Sequence, residues 1–166
     1  MREMDLAALV QQVVAGIGSP VHLSLPPNLS RFLWHDRSLE MLIGRFIHRA
    51  LSINHAASPV RIAVRQKAKM QDLEKFFGIP SCHWIQLRIQ WRGLAGFDGD
   101  AQRMLESFGY RCEEWVGVED SPQQLGAFCL GTNKEPKLVF WTGSRKDSHK
   151  CDLLIPVASF SAVIQQ

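Results

Sequence analysis

The sequence predicts an α+β domain: one mixed β-sheet with helices packed on one of its faces, a two-layer sandwich. Three observations carry this. Segments 5–17 and 36–51 repeat apolar residues at helical spacing, while 21–25, 59–66 and 84–91 alternate apolar and polar residues as half-buried strands do. The segments follow one another as helix, strand, helix, strand, strand, helix and hairpin, an order that suits helices lying on a sheet. The chain of 166 residues is 46% hydrophobic and 21% charged, and no internal repeat or low-complexity linker interrupts it, so residues 1–166 read as a single domain.

The first helix is capped by Asp5 and carries Leu6, Leu9, Val10, Val13, Val14 and Ile17 on one side, ending at Gly16, Gly18 and Pro20. "VHLSL" follows as a strand, with Val21, Leu23 and Leu25 on one side. After "PPN" comes a short apolar stretch, "RFLWH". Asp36 caps the second helix, whose Leu39, Leu42, Ile43, Phe46, Ile47, Ala50 and Leu51 form one stripe about 100° wide that must face a sheet or another helix. Arg45 and Arg49 share a side face of this helix, with Arg49 nearer the margin of the stripe. "PVRIAVRQ" points Val60, Ile62 and Val64 inward and Arg61 and Arg65 outward. "KMQDLEKFFGIPSCH" reads as a short helix and loop, and "WIQLRIQW" puts Ile85, Leu87, Ile89 and Trp91 on one face. "DAQRMLESFGY" is a helix capped by Asp100. Residues 111–136 are looser, with a helix suggested at "SPQQLGAFCLG". "KLVFW" and "CDLLIPV" flank the polar turn "TGSRKDSHK" in a terminal hairpin.

Composition narrows the function. No run of about 18 apolar residues exists to span a membrane. The N-terminus, with glutamines and acidic residues before its apolar part, is wrong for a signal peptide, so the expected location is cytoplasmic. Net charge is +3 and pI about 8.8, but the basic residues are dispersed apart from "SRKDSHK", which argues against nucleic-acid binding. Cys82, Cys112, Cys129 and Cys151 contain no close pair of the kind zinc sites use, and read as reduced structural thiols. None of the 6 histidines lies before residue 20, and His48 and His83 suit surface or structural roles better than catalysis. Trp34, Trp84, Trp91, Trp115 and Trp141 are either core residues or anchors of an interface.

"DLAALVQQVVAGI", "VHLSLPPNLSRFLWHDRSLEMLIGRFIHRAL", "VRIAVRQ" and the closing "CDLLIPV" together resemble the ATP-binding domain of sensor histidine kinases. That superfamily, GHKL with its Bergerat fold, also holds DNA gyrase, the ninety-kilodalton heat-shock chaperone and the MutL proteins. The resemblance covers residues 5 to 66 well and 85 to 157 loosely. It implies a histidine-kinase ATPase-like fold, and it also implies that the nucleotide boxes are degenerate.

The family's asparagine positions fall on Arg45 and Arg49, and arginine has no lone pair with which to hold magnesium. Asn54 is five residues further on and points elsewhere around the helix. Where the family carries an adenine-binding aspartate in "DxGxG", this chain has Trp91 and Arg92, with Gly93 and Gly96 as remnant glycines. Asp98 and Asp100 come too late. The nearest match to the glycine-rich lid is "QLGAFCLG", with Gly126 and Gly131, and it lacks a run of backbone amides for phosphate.

The resemblance therefore implies a non-catalytic module of bacterial-type two-component signalling, a pseudoenzyme acting through a protein partner. It needs no cofactor, and an anionic ligand at Arg45 and Arg49 is a candidate, because guanidinium forks match phosphate or carboxylate. The alternatives are an ATP- and magnesium-binding kinase-type enzyme with divergent boxes, or a phosphotransfer adaptor of the same fold. Arg45 and Arg49 could also be ordinary surface charges paired with Asp36, Glu40 or loop acids.

Overall fold

A computed structural model describes residues 2–17, 20–26, 32–34, 38–55, 57–67, 83–97, 100–115, 124–130 and 137–157. Its elements are β1 (Arg2–Met4), α1 (Leu6–Ala15), β2 (Val21–Ser24), β3 (Phe32–Trp34), α2 (Ser38–Ile53), β4 (Val60–Lys67), β5 (His83–Arg92), α3 (Asp100–Ser107), β6 (Arg111–Trp115), β7 (Gln124–Leu130), β8 (Lys137–Arg145) and β9 (Ser148–Val157). A 7-stranded sheet runs β2-β4-β5-β9-β8-β7-β6, and β1 and β3 form a small antiparallel pair. Only β2 against β4 is parallel among these pairings, so the sheet is mixed, as expected.

The helices form the second layer. α1 begins where the Asp5 carboxylate accepts a bond from the Ala8 amide at 3.0 Å, the cap expected from the sequence. Leu39, Leu42, Ile43, Phe46, Ile47 and Ala50 of α2 are all fully buried, which is the apolar stripe read from the sequence. They meet Val60, Ile62 and Val64 of β4, Ile85, Leu87, Ile89 and Trp91 of β5, and Cys151, Leu153 and Ile155 of β9 in one core. Asp36 and the segment 69–82, expected as a cap and as a helix with its loop, lie outside the described residues.

Two expectations change and one open alternative is settled. The segment suggested as a helix around "QLGAFCL" is strand β7, bonded on both sides by β6 and β8. Seven residues of apolar and small character carry too little periodicity to separate helix from strand, and the two neighbours decide it. The polar turn 142–150 is mostly strand: β8 and β9 pair through Arg145 opposite Ser148, leaving only Lys146 and Asp147 as the turn. A backbone ladder does not stop where side chains become polar. Finally, Trp84 and Trp91 are buried, at 0% and 2% exposure, so neither is an exposed interface anchor.

Candidate functional site

The C-terminal half of α2, the end of β5 and the start of α3 meet at one place, and the loop 93–97 closes it. Trp91 ends the inward-facing row of β5. Its indole Nε1 donates to the Ala95 carbonyl at 3.0 Å, which curls the loop back over the ring. That curl carries Phe97 inward, where it is 1% exposed, with ring centroids 4.5 Å from Trp91 and 5.8 Å from Phe46 of α2. His149 of β9 also stacks on Trp91, with ring centroids 5.8 Å apart. The hollow between helix layer and sheet is filled by aromatic rings.

Polar groups lock the loop in this position. His149 is buried and lies with Nε2 2.9 Å from the Gly93 carbonyl and Nδ1 2.7 Å from the Ser144 hydroxyl. The Gly93 amide donates to the Asp147 carbonyl at 2.9 Å, which ties the tip of the β8–β9 hairpin to the same loop. Asn54, at the end of α2, accepts from the Arg92 amide at 3.1 Å and donates to the carbonyls of His55 and Ser58. A side chain at Gly93 would run into the Ile53 carbonyl, so glycine is required by the close approach of α2. Gly96 also packs closely, though less tightly, with a Cβ there meeting Ser144 Oγ at 2.9 Å and His149 Nδ1 at 3.2 Å.

Arg45 and Arg49 lie along the contact between α2 and α3. Arg49 donates through its Nε (3.1 Å) and Nη2 (2.9 Å) to one oxygen of Asp100, the first residue of α3, and Arg103 reaches the other oxygen at 3.3 Å. Arg45 holds its guanidinium 5.3 Å from the centre of the Phe108 ring. The side chain of Arg49 is 45% exposed, so this pair contributes well under about 1 kcal/mol. Its importance is positional, because the anion facing Arg49 is the chain's own carboxylate.

No protein-family model and no curated protein matches the chain. Solved structures do. ShkA, full-length and in complex with AMPPNP, is similar over 95% of this chain with a TM-score of 0.54 at 11% identity. The match spans 31% of the length of the ShkA chain. A mycobacterial sensor histidine kinase, MprB, matches over 95% of this chain and 99% of its own, with a TM-score of 0.48 at 7% identity. The fold is histidine-kinase-like.

Of the positions singled out in the sequence, Arg49, Trp91, Gly93 and Gly96 are brought together around the filled hollow, with Arg45 one turn away on α2. Arg92 is beside them in the chain, but its side chain is on the opposite face of β5 and exposed. Gly126 is not part of the cluster. It sits on β7 between Trp115 of β6 and Trp141 of β8, three strands from β5 in the sheet. Asp98 and Gly131 lie outside the described residues. Phe97, Ser144 and His149 were not singled out by spacing. The available signal was weak: an aromatic residue closing a glycine-rich loop, and a lone histidine in an otherwise polar hairpin.

A second polar centre lies on the sheet face turned away from the helices. Asp152 is fully buried and accepts from Arg88 Nε at 2.7 Å, Arg88 Nη2 at 2.9 Å and the Trp141 indole. The bond to Asp152 raises the pKa of Arg88 further, desolvation opposes this, and the carboxylate's charge reinforces it. Next along β9, Cys151 points into the core. Burial first, and the Asp152 charge second, push its thiol well above the ordinary range, so it stays protonated and inert. Among the described residues, no group of histidines, cysteines and carboxylates is arranged to hold a metal. No helix among them is long and apolar enough to cross a membrane.

Proposed function

We propose that the chain is a histidine-kinase-type module that has lost nucleotide chemistry and acts in cytoplasmic signalling by binding a protein partner. The observation that carries this reading is the filled hollow: Phe97 lies between Trp91 and Phe46, in the region the family resemblance assigns to adenine. A purine needs an open slot and a carboxylate acceptor for its amino group. Here the slot is occupied by rings, and Trp91 offers only a donor, already spent on Ala95. Arg49 supports the same reading, since a cation bonded to Asp100 supplies no oxygen to magnesium. The loop that fills the hollow also presents Leu94 entirely to solvent, and α2 exposes Met41 at 59%, apolar surface of the sort a protein partner covers.

Calorimetric or thermal-shift titration with ATP and magnesium tests this directly. The expected result is no change in Tm at millimolar nucleotide. A ligand present at a hundred times its Kd would add about 2.7 kcal/mol of stability. A magnesium-dependent rise in Tm on that scale would overturn the proposal in favour of a working nucleotide-dependent enzyme.

A further inference from the structure

The basic residues that look dispersed along the sequence converge in the fold. On β4, β5 and β9 the residues facing the helices are apolar, so the alternate ones share the opposite face. At one end of that face, the register sets His22 beside Arg61, Arg61 beside Gln90, and Gln90 beside Lys150. Arg92 lies next along β5, opposite Ser148. Between these strands and the connection after α2 opens a cleft of about 410 Å³, lined by Ser58, Pro59, Arg61, Gln90, Trp91, Arg92 and Ser148. Arg61 and Arg92 are exposed, and neither guanidinium meets a carboxylate among the described residues. The one buried acid on this face among the described residues, Asp152, is already committed to Arg88 and Trp141. Further along the face Arg65 of β4 is exposed, Arg88 is held by Asp152, and Trp84, Val139 and Leu154 are fully buried.

We infer that this cleft is a binding site for a small phosphorylated molecule, with the phosphoryl group held between Arg61 and Arg92 and polar groups of the ligand meeting Gln90, Ser58 and Ser148. The volume falls in the range of small-molecule sites, about 300–1,000 Å³. Two guanidiniums select phosphate over carboxylate. One arginine fork saturates a carboxylate, whereas a phosphomonoester dianion has three oxygens to share between two forks. Hydroxyls and an amide around the pair supply both donors and acceptors, which suits a polyhydroxylated or heterocyclic remainder rather than bare hydrocarbon. The concave shape of the cleft favours a small ligand over a nucleic-acid strand, which needs an extended track of charge. The cleft shares Trp91 with the filled hollow, but Arg61 and Arg92 take no part in that hollow, so the test below does not depend on the reading drawn from it.

The test uses the whole chain, with inorganic phosphate and glycerol 3-phosphate as probes and chloride at matched ionic strength as control. Binding is followed by thermal shift and by the guanidinium Nε resonances in ¹H–¹⁵N spectra. Both probes are expected to raise Tm saturably at millimolar concentration and to shift two arginine Nε signals, which Arg61→Gln and Arg92→Gln assign one each. Each substitution weakens binding at least tenfold while the far-ultraviolet spectrum stays unchanged, and Arg45→Gln leaves binding intact. Because each variant carries one change on an exposed side chain, loss of binding is read separately from loss of fold. Absence of saturable binding, or binding in Arg61→Gln and Arg92→Gln as tight as in the unsubstituted chain, overturns the inference. So does a single-stranded oligonucleotide that binds more tightly than either probe with a steep salt dependence, which would make this face a nucleic-acid surface.

Discussion

Cys151 and Asp152 are adjacent in the chain and face opposite sides of β9, the thiol toward the helices and the carboxylate toward the other face. The carboxylate has three donors to satisfy it. The thiol has none to stabilise its anion, and burial with the nearby negative charge raises its pKa. An unfolded chain gives up this proton near the ordinary thiol value of about 8.5, while the folded chain keeps it. The stability contributed by the protonated thiol is therefore complete below that pH and declines as the pH rises through and beyond it, by at most about 1.4 kcal/mol per pH unit. Urea unfolding at pH 7.5, 8.5 and 9.5 will show the wild-type chain losing stability across this window faster than Cys151→Ala. Parallel slopes in the two proteins would mean that the thiol ionises as readily in the fold as outside it.

Elements whose identity rests on their own periodicity could be read from the sequence. α1, α2, α3, β4 and β5 each carry a local pattern that burial then obeys, as the fully buried row from Leu39 to Ala50 illustrates. β6 and β7 escaped because a strand with irregular polarity is defined by its neighbours, and those pairings are long-range. The β8–β9 hairpin was legible as a hairpin but not in its length, because the turn is fixed by register rather than by the polar run around it. Lys146 in that turn has φ 56°, a left-handed backbone that a side chain with a Cβ adopts at a cost of about 1–2 kcal/mol. Glycine adopts it freely but starts from a more flexible unfolded chain. Lys146→Gly is therefore expected to stabilise the protein by about 0.5–1 kcal/mol, read as a higher midpoint in urea with unchanged m. A lower midpoint would show that the lysine side chain contributes more than its backbone costs.

At the scale of the whole molecule, α2, α3, the 93–97 loop and the central strands share one core, and Phe97 is where they meet. The sequence led to the expectation that the nucleotide boxes are altered, because the residue types at Arg45, Arg49 and Trp91 can be read directly. It did not indicate how Phe97 and Asp100 pack against α2. Asp100 meets Arg49 across 51 residues of chain, and Phe97 turns inward through a bond from Trp91 to Ala95; neither contact has a spacing signature. Truncating Phe97 to alanine removes a phenyl ring that bridges the two layers, and cavity creation of this kind costs about 3–5 kcal/mol. If helix layer and sheet form one cooperative unit, the loss must appear everywhere at once. Far-ultraviolet circular dichroism, which follows α1, α2 and α3, and the fluorescence of the 5 tryptophans, among them the buried Trp84 and Trp91 on opposite faces of β5, will shift to the same lower urea midpoint. Separate midpoints would show that the layers unfold independently. Phe97→Ala also separates space from chemistry, since the hole it leaves is still bordered by Trp91 as a donor and by Arg49 bonded to Asp100. With room restored but no acceptor for adenine and no oxygen for magnesium, ATP is expected to leave Tm unchanged in this variant as well; a magnesium-dependent rise would mean that the aromatic plug alone keeps nucleotide out.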